Sequence, residues 1–221
     1  MKILSTILIC LLSMATNAQT IHFKIEGTVT DTTDVKFAYL STLAKQISVS
    51  SDKLFLKVPI VDGKFAFDSH FDLEGKSMQQ AFMFLDKRDN ITQEEVALKL
   101  ENIVWIIGFQ PNFLRVILED TRLQVENKQQ LSTAVITGGG VYTNHLREWA
   151  AAIRKGRKAL VEFIWTHTTS PVSLIAIHDM LPPEPGETVP QNETSLALFN
   201  SLSPQIKASK DGQEIKKGLM H

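Results

Sequence analysis

Chemistry needs nucleophiles, general bases or metal ligands at usable spacing, and this sequence supplies few. Its histidines are His22, His70, His145, His167, His178 and His221. A zinc site would take ligands at short helical spacing such as i and i+4, and no two of these stand so. His167 and His178 fall on apolar stripes of separate expected helices, where a hydrogen-bonded structural histidine is the commoner case. Glu119-Asp120 follows an apolar strand and could pose as an acid pair, yet adjacent strand residues point to opposite faces. The two are expected at the solvated end of the strand. Ser170 lacks the G-x-S-x-G surroundings of a hydrolase nucleophile and is explained as a helix cap. Gly138-Gly139-Gly140 resembles a phosphate cradle, but Val141 and Tyr142 follow where a P-loop needs Lys and Ser/Thr. It is expected to be a joint between halves. Asn192-Glu193-Thr194 matches a glycosylation sequon, a pattern that arises often by chance. No catalytic, cofactor-binding or metal-ligating residue is assigned.

The ends of the chain decide what else is open to it. Met1-Lys2 precedes the apolar run Ile3–Met14 and the small residues Thr16-Asn17-Ala18, the pattern of a secretory signal peptide over residues 1–18. The run is too short to cross a bilayer, which takes about 20 residues as a helix, and no later stretch reaches that length. Cys10 is the only cysteine. It sits inside the apolar run after Ile9, away from the position a lipoprotein signal acylates, so its thiol leaves with the leader. The exported chain from Gln19 then has neither disulfide nor thiolate chemistry. Losing Lys2 takes the basic count from 23 to 22 against 24 acidic residues, a net charge of −2 with histidine neutral. That balance points to neither nucleic acid nor anionic lipid.

The elements begin with alternation. Ile21, Phe23 and Ile25 alternate with polar residues, and after the turn formers Asp31–Asp34 the run Val35–Leu40 alternates again; both read as strands. Ser41–Asp52 reads as a loop. Leu54–Phe71 carries the strongest short-range signal, Asp62-Gly63 between two alternating runs, and predicts a hairpin. Its register sets Ile60 opposite Phe65, Val58 opposite Phe67, Leu56 opposite Ser69 and Leu54 opposite Phe71, with Lys57–Asp68 and Lys53–Asp72 on the other face. A four-residue loop from Val61 to Lys64 is preferred, because a two-residue one asks Pro59 for an N–H it lacks. Ala81–Leu85 is a further strand. Asn90–Glu101 is ambiguous between a Thr92/Glu95 capping box and a period of two from Val96, and strand is favoured. Ile103–Phe109, Phe113–Leu118, Leu123–Val125 and Thr133–Thr137 complete an all-β half.

From Asn144 the period turns helical: Leu146, Trp149, Ala150, Ile153, Leu160, Phe163, Ile164 and His167 share a stripe that Gly156 divides. Ser170-Pro171 opens a helix carrying Leu174, Ile175, Ile177, His178 and Leu181, which Pro182–Gly186 stops. Further helices start near Thr194 and Ser203-Pro204. The fold class is α+β, an N-terminal antiparallel β-sandwich at 19–140 followed by a small C-terminal α-helical bundle at 141–221.

Several of these segments carry a family likeness. Asn17-Ala18-Gln19, Phe23–Gly27, Val61–Phe67 and Ile117-Leu118-Glu119, then Phe163-Ile164 with Ser170 and Ser173, and Ile206–Ile215, together resemble a domain of unknown function from exported bacterial proteins. In that family a TlpA-like (AhpC/TSA-type) thioredoxin domain usually follows. The resemblance implies a periplasmic or cell-envelope location and a sandwich with a helical segment that adjoins another domain. The family's chemistry belongs to a downstream W-C-x-x-C motif, which this chain does not carry, so no catalytic residue is carried over and no cofactor is implied. The leading expectation is therefore a non-catalytic exported binding or interaction module. Alternatives are the detached front part of a thiol-disulfide oxidoreductase and a hydrolase with dispersed residues. A partner is expected on the C-terminal helical face of Leu198, Phe199, Leu202, Ile206, Ile215 and Leu219, either a second copy or a thioredoxin-like protein; the competing reading makes these residues core.

Protein recovered from the envelope of the producing cell is expected to begin at Gln19 by intact mass. A mass retaining Met1–Ala18, or carrying lipid on Cys10, refutes cleavage after Ala18.

Overall fold

The computed structural model describes residues 19–42, 54–101, 111–180 and 188–220. The leader, the apolar run 103–109, most of the 41–52 loop, Lys53, the stop at 182–186 and His221 lie outside the described residues. The strands are β1 (Thr20–Val29), β2 (Phe37–Ser41), β3 (Phe55–Pro59), β4 (Lys64–Asp72), β5 (Gln80–Asp86), β6 (Leu114–Ile117), β7 (Thr121–Val125) and β8 (Val135–Gly139). They form two four-stranded sheets, ordered β4-β1-β7-β8 and β3-β2-β5-β6. The architecture is α+β, and all the described α-helices but one follow the last strand.

The Asp62-Gly63 turn forms, but not the hairpin. Asp62 and Gly63 take φ of 51° and 71°, and Val61 and Lys64 exchange both backbone hydrogen bonds at 2.9 Å. The loop therefore has two residues rather than the four expected. Beyond that single bridge the arms part: β3 pairs antiparallel with β2, and β4 pairs antiparallel with β1, setting Lys24 beside Asp68 and Ile25 beside Phe67. The parting follows from what each apolar row faces. Phe65, Phe67 and Phe71 look inward from one sheet, while Leu54, Leu56, Val58 and Ile60 pack onto the same hydrophobic cluster from the other. The two rows meet across the core instead of lying side by side. Pro59 ends on β3, an edge strand, where its missing N–H costs nothing. Lys57 accordingly donates to Asp89 O at 2.7 Å and not to Asp68, which pairs with His22 at 2.7 Å.

Two further expectations are corrected. The first sheet is mixed, because β1 and β7 run parallel from Ile25 beside Thr121 to Val29 beside Val125. The ambiguous stretch is helix α1 (Gln93–Glu101), not strand. Thr92 Oγ1 accepts the Glu95 N–H at 3.2 Å and Arg88 holds the Glu95 carboxylate at 2.8 Å, so local capping overrides the period of two.

The helices that follow are α2 (Val141–Lys155), α3 (Arg157–Thr166), α4 (Val172–His178), α5 (Ser195–Ser201), α6 (Pro204–Ala208) and α7 (Lys210–Leu219). Their second hydrophobic cluster takes in Leu146, Trp149, Leu160, Phe163 and Ile164 from the expected stripe. Leu198, Phe199, Leu202 and Ile206 are at most 4 % exposed, so the face expected to await a partner is mostly interior. Only Ile215 and Leu219 on it stay half-buried.

The β1–β4 register can be checked by cross-linking, since paired strands hold Cα atoms about 4.5–5.5 Å apart and a disulfide accepts about 4.4–6.8 Å. In a background without Cys10, Lys24→Cys with Asp68→Cys is expected to oxidise to a disulfide. Leu56→Cys with Ser69→Cys, the pair the hairpin would bring together, is expected to stay reduced; the reverse result refutes the topology.

Candidate functional site

Strand β6 brings the β region and the helices together. Leu114 and Val116 belong to the hydrophobic cluster that draws on both sheets, whereas Ile117 belongs to the helical cluster. Its ladder is completed by a side chain: the Ile117 N–H donates to Thr143 Oγ1 of α2 at 3.0 Å, and Thr143 is fully buried. Glu119 continues the connection. Its carboxylate accepts the Thr143 N–H at 2.6 Å and the Tyr142 N–H at 3.2 Å, placing a negative charge on the first turn of α2. Glu119 is thus a helix cap and not the solvated strand end expected of it. Asp120 is exposed and points elsewhere, accepting the Lys24 N–H at 2.9 Å. The glycine triplet is a joint, as read: at Gly139, φ is 62° and a Cβ would lie 2.2 Å from the Asp120 carbonyl oxygen. A second connection lies at α7, where Asp211 accepts the Ser77 N–H at 3.0 Å and the Ser77 hydroxyl at 2.5 Å. The Lys210 N–H also donates to Gly75 O at 2.7 Å.

Between these two connections the outer face of β5 and β6 and the helices α4 and α7 do not touch throughout. They leave a cleft of about 510 Å³ with Phe82, Met78, Leu174, Ile175 and Ile215 on its walls. Arg115 also lines it. Arg115 Nε donates to Gln80 Oε1 at 2.5 Å, and the guanidinium stands over the Trp149 ring, 5.4 Å from its centroid. Burial pulls the Arg115 pKa down to about 10, opposed by the charge of Asp179. The group therefore remains a cation at neutral pH, and among the described residues no carboxylate forms an ion pair with it. Asp179 is itself engaged by His178 Nδ1 at 2.7 Å. The Trp149 Nε1 atom is buried and finds no acceptor.

A larger depression of about 610 Å³ involves β1, β4 and β7. Two of its charged groups pair, Glu26 with Arg122 at 3.4 Å, and Glu26 also meets Lys24 at 2.6 Å. The smaller cleft is the chemically distinctive one.

The serine and two of the histidines converge elsewhere. His145 Nδ1 lies 2.9 Å from Ser170 Oγ, the His145 and His167 rings are 4.3 Å apart edge to face, and His167 Nε2 lies 3.1 Å from Glu148. A serine beside a histidine could be a nucleophile and its base. Ser170 is only 1 % exposed, however, and its Oγ also accepts the Val172 N–H at 3.3 Å, so it ties α2 to the start of α4. His178 is exposed rather than set on an apolar stripe, and the His22 and His70 rings lie 4.9 Å apart, tilted to one another. Among the described residues no three His, Cys, Asp or Glu side chains gather as metal ligands. No described helix is long and apolar enough to cross a membrane.

Arg115 was not singled out in the sequence. The signal was present in Phe113–Leu118, where one basic residue interrupts six positions of otherwise apolar character. Comparison with protein-family models, curated proteins and solved structures finds no match for this chain.

The histidine cluster has a consequence for stability. Burial, aided by the charge of His167 and opposed by Glu148, holds the His145 pKa below its ordinary value. The unfolded chain then takes up this proton first as pH falls, so the stabilisation is present above about pH 6.5 and is lost below it. His145→Gln is expected to flatten the fall of the urea midpoint between about pH 7.5 and about pH 5.5. An unchanged slope refutes the assignment.

Proposed function

We propose that this protein is a non-catalytic binding module whose ligand enters the cleft beside Arg115. One observation carries the reading. A half-buried guanidinium faces a cavity of small-molecule size with one of its five N–H groups committed to a side chain, and desolvating a cation without an anionic partner is unfavourable. We read the β region as a sandwich, since one hydrophobic cluster draws on both sheets, and the helices as a small bundle around their own cluster. We further propose export to the periplasm or cell envelope on the strength of residues 1–18. Kinship with the domain that precedes TlpA-like thioredoxin domains rests on the segments that resemble it.

A second reading has its own observation. The outer end of α7 presents half-buried Ile215 and Leu219 and, beyond the helix, Met220 at 61 % exposure. In this alternative the chain is the front part of a thiol-disulfide oxidoreductase whose catalytic domain is separately encoded, and a thioredoxin-like domain or a second copy covers that end. A W-C-x-x-C coding sequence in the DNA that follows His221 favours it.

Purified protein beginning at Gln19 is expected to leave insulin disulfides intact, because the nucleophile in that exchange is a thiolate and Cys10 lies in the leader. Turnover above buffer that survives repurification refutes the non-catalytic reading.

A further inference from the structure

We propose that the cleft between β5, β6, α4 and α7 binds the carboxyl end of a peptide, with its terminal carboxylate on Arg115 and a basic residue toward Asp179 and Glu214. The proposal rests on the binding-module reading and names its ligand.

Charge and shape carry it. The Arg115 side chain is oriented from two sides, by Gln80 at Nε and by the Trp149 ring, so its remaining donors are preorganised rather than free to follow solvent. A planar guanidinium so held suits a planar carboxylate, which accepts two parallel N–H bonds. The walls then discriminate. Phe82, Leu174 and Ile215 offer an apolar seat for a last side chain, while Gln79 and Thr42 supply the polar groups that peptide amides need. Three acids also line the cleft, Asp179, Asp211 and Glu214. Asp211 is consumed by Ser77, Ser209 and the Gly212 N–H, whereas Glu214 is exposed. These three carboxylates outnumber the cations Arg115 and Lys76 on the same walls, which disfavours a dianion such as phosphate and favours a ligand that carries one carboxylate at its end and a positive charge further back. A fatty acid has the first feature and lacks the second.

The test is calorimetric titration of the protein beginning at Gln19 with an acetylated tetrapeptide whose last two residues are lysine and leucine. The free acid is expected to bind, and the C-terminal amide at least about tenfold more weakly. Arg115→Gln is expected to abolish the difference between acid and amide. Glu214→Gln, an exposed and structurally mild change, is expected to weaken the lysine peptide but not one with norleucine in its place. Equal binding of acid and amide, no binding of either, or binding of decanoate or inorganic phosphate as tight as the peptide each overturns the proposal. None of these results touches the insulin assay, so the inference and the reading beneath it fail separately.

Discussion

A single four-residue strand contributes to two hydrophobic cores, and the rest of the molecule depends on it. Leu114 and Val116 of β6 enter the hydrophobic cluster that draws on both sheets, and Ile117 enters the cluster of the helices. A strand at the edge of its sheet normally leaves backbone donors to water. Here the donor of Ile117 is buried, and leaving it unpaired would cost about 1–3 kcal/mol. Thr143 removes that cost, and in doing so fixes where α2 begins. Glu119 then accepts the backbone N–H of Thr143 and of its neighbour Tyr142. The position of the whole helical region relative to the sheets thus follows from the pairing of one edge.

The cleft is what this arrangement leaves over. Helix α2 is held at β6, and α7 is held at the turn between β4 and β5 through Asp211 and Lys210. The surface between the two attachments is the outer face of β5 and β6, which carries Gln80, Phe82 and Arg115. A sheet face covered edge to edge by helices would require these positions to be apolar and small enough to pack. Arginine at the centre prevents that closure, so the gap is a property of the sequence and not of loose packing.

Much of the fold was legible because alternation and helical periodicity report which face of an element is apolar. Faces were read well: Phe23, Ile25, Phe65, Phe67, Leu146 and Phe163 are all interior. Partners were not. An apolar row flanking Asp62-Gly63 looks the same whether the two strands pair in one sheet or face each other from two, and only β1 and β2, arriving from earlier in the chain, decide the matter. The helix at Gln93–Glu101 shows the reverse case, in which a capping residue outweighed a short alternating pattern. The candidate site was legible in neither way. The significance of Arg115 comes from what fails to pair with it, and the histidines, serine and glutamate that do converge were read one at a time. Spacing along the chain carries no record of either.

The parallel pairing of β1 with β7 also shapes how the molecule comes to exist. β1 lies between β4 and β7, so the first strand among the described residues is an interior strand of its sheet, and one neighbour is supplied by residues almost a hundred positions later. Closing so long a loop consumes chain entropy before any contact rewards it, and folding rates fall as such distant contacts accumulate. The strands before β6 can pair β1 with β4 and β2 with β3 and β5, but not β1 with β7. The sheet that contains β1 is therefore completed only after β7 has arrived, and the helices anchored beyond β6 organise around a framework whose earliest described strand is among the last to be enclosed.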